Sequence, residues 1–433
     1  MDEYFNKEFQ YSKQNLNDKK YSTEVKIEIE KKTMINQKGE PQYKEEKEIE
    51  EYQKPKLKEL YDIILSNIEK FPNAIHYENI ENIYNYLLEK FELIYSGYKN
   101  QNVKEIDIFG KDFVEKNKDN CYLLINGEKK ALCEKYDRPD EEPLTIILVK
   151  EKEIENMSKM FFKCNFLHLV KVLTQWKFDN VNNLNSMFCG CENLKYIILG
   201  SELNTSKVID FSNMFKDCKS LETKEYPLTL KFNTENGQKF KNMFQNCSSL
   251  TKIDGISDWK LNKAIDLSSM FSKCKLLEEI DLSKWEIPNA EYLNSMFSGC
   301  EQLKEIDLHK WDIPNAKDLN RMFYGCKQIR YIYFKKKLNC GKVINMDSMF
   351  ADCENLEKLI DLSQWITDSL QSLNETFRNL PNLKEFSNIS SWNVKNVISS
   401  KDTFEDFSID VERPVWADKI NNNNISTVSH TFD

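Results

Sequence analysis

The sequence predicts an α/β solenoid, a stack of about ten coils with an N-terminal α/β cap and a helical hairpin. Three observations carry that expectation. A phenylalanine recurs every 26–29 residues, at 161, 188, 215, 244, 271, 297, 323, 350, 377 and 404. A fixed period of this size marks a chain built from one small unit that buries its apolar face only by stacking on its neighbours. Around the first eight of these positions the phrase is Met-Phe-x-x-Cys, so the repeat has constant inward-type residues and a variable remainder. Finally, the chain ahead of the first copy turns from a helical to a strand-like period, as a segment covering the apolar end of a stack would.

Taken in order, residues 1–55 are polar and rich in Lys and Glu. Val25, Ile27 and Ile29 alternate ahead of Gly39, which allows a short hairpin, but so little apolar surface equally suits a flexible arm. Residues 56–98 read as a helical hairpin. Leu57, Leu60, Ile64, Ile68 and Phe71 step by three and four until Pro72, and Ile80, Ile83, Leu87, Phe91 and Ile94 repeat the pattern until Gly97. Residues 99–150 read as a small β-rich cap: VKEIDIF is one strand, Asn126-Gly127 joins two more as a hairpin turn, and LTIILV leads into the repeats. Residues 151–407 form the repeat block, and 408–433, with Trp416 and a run of Asn, form a closing cap and tail.

Within a coil, Leu303-Lys304-Glu305-Ile306-Asp307-Leu308 has the LxxLxL spacing of a leucine-rich repeat. Leu303, Ile306 and Leu308 face inward while Glu305 and Asp307 face out, since a strand alternates its faces. The preceding LNSMFSGC is expected to make one or two helical turns that put Phe297 and Cys300 on one side. Six of the seven Trp follow the repeat Phe by 14 or 15 residues. In the last two copies Met becomes Thr376 and Thr403 and Cys becomes Leu380 and Phe407, the atypical ending that a stack requires.

The phrase Met-Phe-x-x-Cys-x-x-Leu-x-x-Ile-Asp-Leu-Ser-x-Trp, from Met270 to Trp285, resembles the repeat of BspA-like leucine-rich-repeat surface proteins. The same unit occurs in mycoplasma lipoproteins and in protist expansions, and the Asn-, Lys- and Ile-rich composition here is similar to the latter. The resemblance covers roughly residues 154–407. It implies a leucine-rich-repeat-like solenoid, a role in adhesion or protein binding, and no catalytic residues.

Composition narrows the chemistry. A formal charge of −9 argues against nucleic acid as a partner, which normally calls for a basic face. The N-terminus has no apolar core of signal-peptide length, no window approaches the roughly 18 apolar residues of a membrane span, and no lipid anchor motif is present, so a cytoplasmic location is expected. Eight of the twelve Cys sit three residues after a repeat Phe, a packing position expected to hold reduced thiols. Cys189-x-Cys191 does not make a zinc site, because a ladder of thiols along an axis does not converge tetrahedrally. Phosphate-binding glycine motifs and a Gly-x-Ser-x-Gly elbow are both missing, so no enzyme and no cofactor are expected.

The outward strand row holds the candidate site. Asp254, Glu279, Asp281, Glu305 and Asp307 are expected to stack as an acidic stripe over three coils, with His309 beside them and Tyr331, Tyr333 and Lys335 on the next coil. Aromatic residues beside charge suit a binding patch. The plainer account is that Asp after Ile belongs to the repeat and only solvates the face. The expected function is a non-enzymatic scaffold for a protein partner. The alternatives are a surface or secreted adhesin exported by an unrecognised route, and a structural component of a large intracellular assembly. The oligomeric state is left open.

Overall fold

In the computed structural model the described residues are 89–98, 101–139, 143–172, 176–199, 204–223, 228–360, 362–408 and 412–417. Two compact units, Met1–Glu89 and Lys90–Asp433, divide the chain, and of the first only Glu89 is described. The arm at 1–55, the helix expected from Leu57 to Phe71, the start of the second helix and the tail beyond 417 lie outside the described residues.

The end of that second expected helix is instead a strand, β1, Glu89–Tyr95. Phe91 and Ile94 fit a helical period with Leu87, but Phe91, Leu93 and Tyr95 also alternate, and all three are fully buried. The alternation prevails because a strand edge is available: β1 pairs antiparallel with β7, Leu167–Val172, placing Phe91 opposite Val172 and Leu93 opposite Val170. This pairing satisfies backbone groups that burial would otherwise leave without partners.

The remaining cap elements are β2 (Glu105–Asp107), α1 (Lys111–Asn117), β3 (Cys121–Ile125), β4 (Glu128–Ala131), β5 (Lys135–Asp137) and β6 (Leu144–Lys150). Asn126 and Gly127, at φ 52° and 80°, make the β3–β4 turn, whose two positive φ values match the right-handed strand twist. Joined by β8, Tyr196–Ile198, the main sheet runs β4-β3-β6-β1-β7-β8, so cap strands and the strands of the first two repeats share one sheet. At the other side of the first repeat, the Gly110 N–H bonds the Met160 carbonyl at 2.8 Å and Phe109 lies 5.3 Å from Phe161. A Cβ on Gly110 would fall 2.0 Å from the Lys159 oxygen, so this approach requires glycine.

The Met-Phe-x-x-Cys segment is not helical. In every copy the residues two before and two after the Phe have positive φ, for example Ser295 (58°) and Gly299 (73°) around Phe297. Asn, Asp and Gly, the residue types best able to adopt that conformation, supply most of these positions. The alternation aims successive N–H groups in two directions. Those of Ser295, Phe297 and Gly299 bond carbonyls of the next coil at Asn320, Met322 and Tyr324 (2.7–2.9 Å), while Met296, Ser298 and Cys300 bond Leu293, Ser295 and Phe297 of their own coil. A helix would have turned all of these bonds along one segment and left adjacent coils unconnected.

Coils are therefore tied edge to edge. Parallel bridges run from Asn156 through Asn183, Asp210, Lys239, Asp266, Tyr292, Asp318, Asn345 and Ser372 to Ser399. Inside, the repeat phenylalanines stack face to face: Phe271–Phe297 at 5.5 Å and Phe297–Phe323 at 5.4 Å, tilted by no more than 10°. From Cys191 to Cys353 each repeat thiol also donates a hydrogen bond to the Phe carbonyl of the preceding coil, as Cys300 Sγ does to Phe271 O at 3.2 Å. At Thr376 and Thr403 a hydroxyl in the former Met position bonds the carbonyls of Met346 and Leu373 in the preceding coil. The tryptophan row is interrupted between Trp311 and Trp365, where Phe334 meets Trp365 edge-on at 4.9 Å beside a cavity of about 10 Å³.

Candidate functional site

A four-stranded parallel sheet, ordered β12-β11-β10-β9, builds the outward face that the sequence singles out. Its strands are β9 (Glu305–Leu308), β10 (Tyr331–Phe334), β11 (Lys358–Leu359) and β12 (Glu385–Phe386). Ile306, Leu308, Ile332 and Phe334 alternate inward and are buried, which turns Glu305, Asp307, Tyr331 and Tyr333 outward. Register puts Tyr331 beside Glu305 and Tyr333 beside Asp307, then Lys358 beside Tyr331 and Glu385 beside Lys358.

The aromatic side chains on this face touch one another. Tyr331 and Tyr333 lie 6.1 Å apart at 24°, and the His309 ring stacks on Tyr333 at 5.8 Å and 20°. Asp307 accepts bonds from the His309 backbone N–H at 2.9 Å and lies 2.7 Å from His309 Nδ1 through the same oxygen, which fixes the ring where Tyr333 meets it. Burial and the nearby Glu305 raise the Tyr333 hydroxyl above its ordinary range, so it remains protonated and able to donate.

The acidic row is only partly unopposed. Lys252 pairs with Glu279 at 2.9 Å and approaches Asp254 at 3.8 Å, neutralising the end of the stripe furthest from the tyrosines. Asp254 also belongs to a bridge with Thr229, a backbone role. Asp281 accepts the Ser283 hydroxyl (2.6 Å) and N–H (3.1 Å), and these bonds hold its carboxyl below the usual range. Lys335 is bound to Asp312 at 2.9 Å, and Lys358 to Glu385 at 2.5 Å. Among the described residues, no Lys or Arg pairs with Glu305, Asp307 or Asp281. The structure thus gathers Glu305, Asp307, His309, Tyr331 and Tyr333, and leaves Asp254 and Glu279 in a neutralised flank.

Sequence reasoning did not identify Lys358 and Glu385 as members of this face. The signal was available: adding one repeat length to Tyr331 reaches Lys358, and adding a second reaches Glu385. It also assigned the repeat cysteines to packing alone, whereas each from Cys191 to Cys353 donates to a Phe carbonyl one coil back. Burial pushes these thiols up, Cys274 to about 12, which makes them poor nucleophiles. Among the described residues no group of three or more His, Cys, Asp or Glu side chains is placed to hold a metal ion. No described helix is long and apolar enough to cross a membrane.

A sequence family described as Mycoplasma protein of unknown function, DUF285, matches residues 155–254, 250–333 and 332–416. No curated protein matches the chain.

Proposed function

The chain belongs to the Mycoplasma protein family DUF285, and we propose that its repeats form a leucine-rich-repeat-like solenoid of the BspA kind that acts as a non-enzymatic scaffold for a protein partner. The solenoid reading is supported by parallel pairing of each coil with the next and by the unbroken phenylalanine row. One observation carries the binding reading: Tyr331, Tyr333 and His309 form a stacked aromatic patch on an outward sheet face, where the repeat itself calls only for solvated residues. Tyrosine is enriched at protein interfaces because it offers a large rigid surface with a polar tip.

The partner is a protein rather than a nucleic acid, given the acidic balance of the chain and of this face. Thiols that act as hydrogen-bond donors fit a reducing compartment, which favours a site of action inside the cell. Proximity labelling in cells is the test, comparing the wild-type chain with a Tyr331→Ser/Tyr333→Ser variant. The expected result is loss of at least one labelled protein; an unchanged set removes the patch from the function. Biotinylation of intact cells checks the compartment, and strong surface labelling would overturn it.

A further inference from the structure

The geometry points to an arginine, presented by a segment of the partner, as the group that docks on the Tyr331–Tyr333 face. This inference rests on the binding reading above. Charged groups surround the two rings. On one side lie Glu305 and Asp307, each in register with one tyrosine, and adjacent strands of a sheet are about 4.8 Å apart. On the other side Lys358 is held by Glu385 at 2.5 Å, and beyond the strand end Lys335 is held by Asp312 at 2.9 Å. Lys358 and Lys335 are thus already paired, while Glu305 has no Lys or Arg partner among the described residues. Among the described residues, His309 is the one basic side chain bound to Asp307.

An approaching group therefore meets the Tyr331 end of an aromatic row and, beside it, the Glu305 carboxylate. A flat cation satisfies both. Its plane lies against a tyrosine ring, whose face is electron-rich, while its N–H groups reach the Glu305 carboxylate. Guanidinium fits better than ammonium, because it stacks as a plane and offers two parallel donors to one carboxylate, whereas lysine is a strongly hydrated point charge. His309 completes the row: its ring is fixed by Asp307 and stacked on Tyr333, so the platform is assembled before anything binds. Preorganisation of this kind lowers the ordering cost of association.

The test uses the full chain and a random-peptide phage library, with counter-selection on the Tyr331→Ser/Tyr333→Ser variant. The expected result is tyrosine-dependent clones enriched in Arg. A peptide resynthesised from such a clone should lose about tenfold or more in affinity when its Arg is replaced by neutral, isosteric citrulline, the size of one cation–π contact with one charge-assisted hydrogen bond. Glu305→Gln should cause a similar loss for the Arg peptide and none for the citrulline peptide. Tyrosine-dependent clones lacking Arg, or equal affinity of the citrulline form, would overturn the arginine inference and leave the binding reading standing. Absence of any tyrosine-dependent clone would overturn both. Unchanged thermal unfolding of each variant checks that the outward substitutions leave the fold intact.

Discussion

Truncating one ring in the middle of the phenylalanine row should unlock the coils on both sides of it. Phe297 is fully buried, with Phe271 at 5.5 Å on one face and Phe323 at 5.4 Å on the other. A buried Phe→Ala change costs about 3–5 kcal/mol through lost transfer energy and the cavity left behind. Each stacked pair adds about 0.5–1.5 kcal/mol beyond area, and two are lost, so Phe297→Ala belongs at the upper end of that range. Tyr333→Ala on the same array, outward and half-buried, leaves no core cavity and should cost only about 1–2 kcal/mol, from its ring contacts with Tyr331 and His309. Hydrogen exchange on the full chain is the assay, because long repeat arrays do not unfold in one step and a single melting temperature would average the coils. Protection should fall at the Phe271 and Phe297 amides, which donate to Met296 and Met322 across the two adjoining boundaries. A loss below about 1.5 kcal/mol, or exchange accelerated on one side only, would refute the view that this row is the shared core.

Three further outcomes follow from the same geometry. Ser269, at φ 54°, should lose about 1–2 kcal/mol when replaced by Val, whose branched side chain resists the left-handed region, whereas Gly should be nearly neutral; urea denaturation with exchange at the coil boundaries distinguishes them. Trp392→Phe should cost about 1 kcal/mol more than Trp365→Phe, since the Trp392 indole bonds the Leu362 carbonyl at 2.9 Å and that of Trp365 has no acceptor among the described residues; parallel denaturation curves measure the difference. Burial raises the repeat thiols, Cys274 from an ordinary 9.0 to about 12, so the folded state retains protons that the unfolded state releases. Their contribution is intact below pH 9.0 and lost as pH rises toward 12, visible as alkaline unfolding, with the partly exposed Cys133 and Cys189 labelled by a thiol reagent before the buried ten.

Where one element could be read two ways, its neighbours decided. The residues from Phe91 to Tyr95 satisfy a helical and a strand period at once, and only the edge of β7, more than 70 residues onward, selects the strand. LNSMFSGC contains helix-compatible residues, yet forms an alternating left-handed turn, because that arrangement points every second N–H at the next coil. The acidic stripe looked continuous from Asp254 to Asp307, but Lys252 closes one end of it. The first two outcomes, and the Lys252–Glu279 pair in the third, depend on a partner about one repeat or more away.

The sequence by itself determined the period, the inward identity of Phe, Leu and Trp, the Asn126-Gly127 turn and the outward placement of Glu305, Asp307, Tyr331 and Tyr333. Those are local properties: alternation, turn chemistry and a recurring phrase act within a few residues. The tertiary structure alone decided which charges are neutralised, that His309 stacks on Tyr333, and that the repeat thiols from Cys191 to Cys353 bond a carbonyl of the preceding coil. Such contacts join atoms 24 to 32 residues apart in the chain. Their distances exist only after one coil has settled on another, when side-chain rotamers and backbone direction are fixed together.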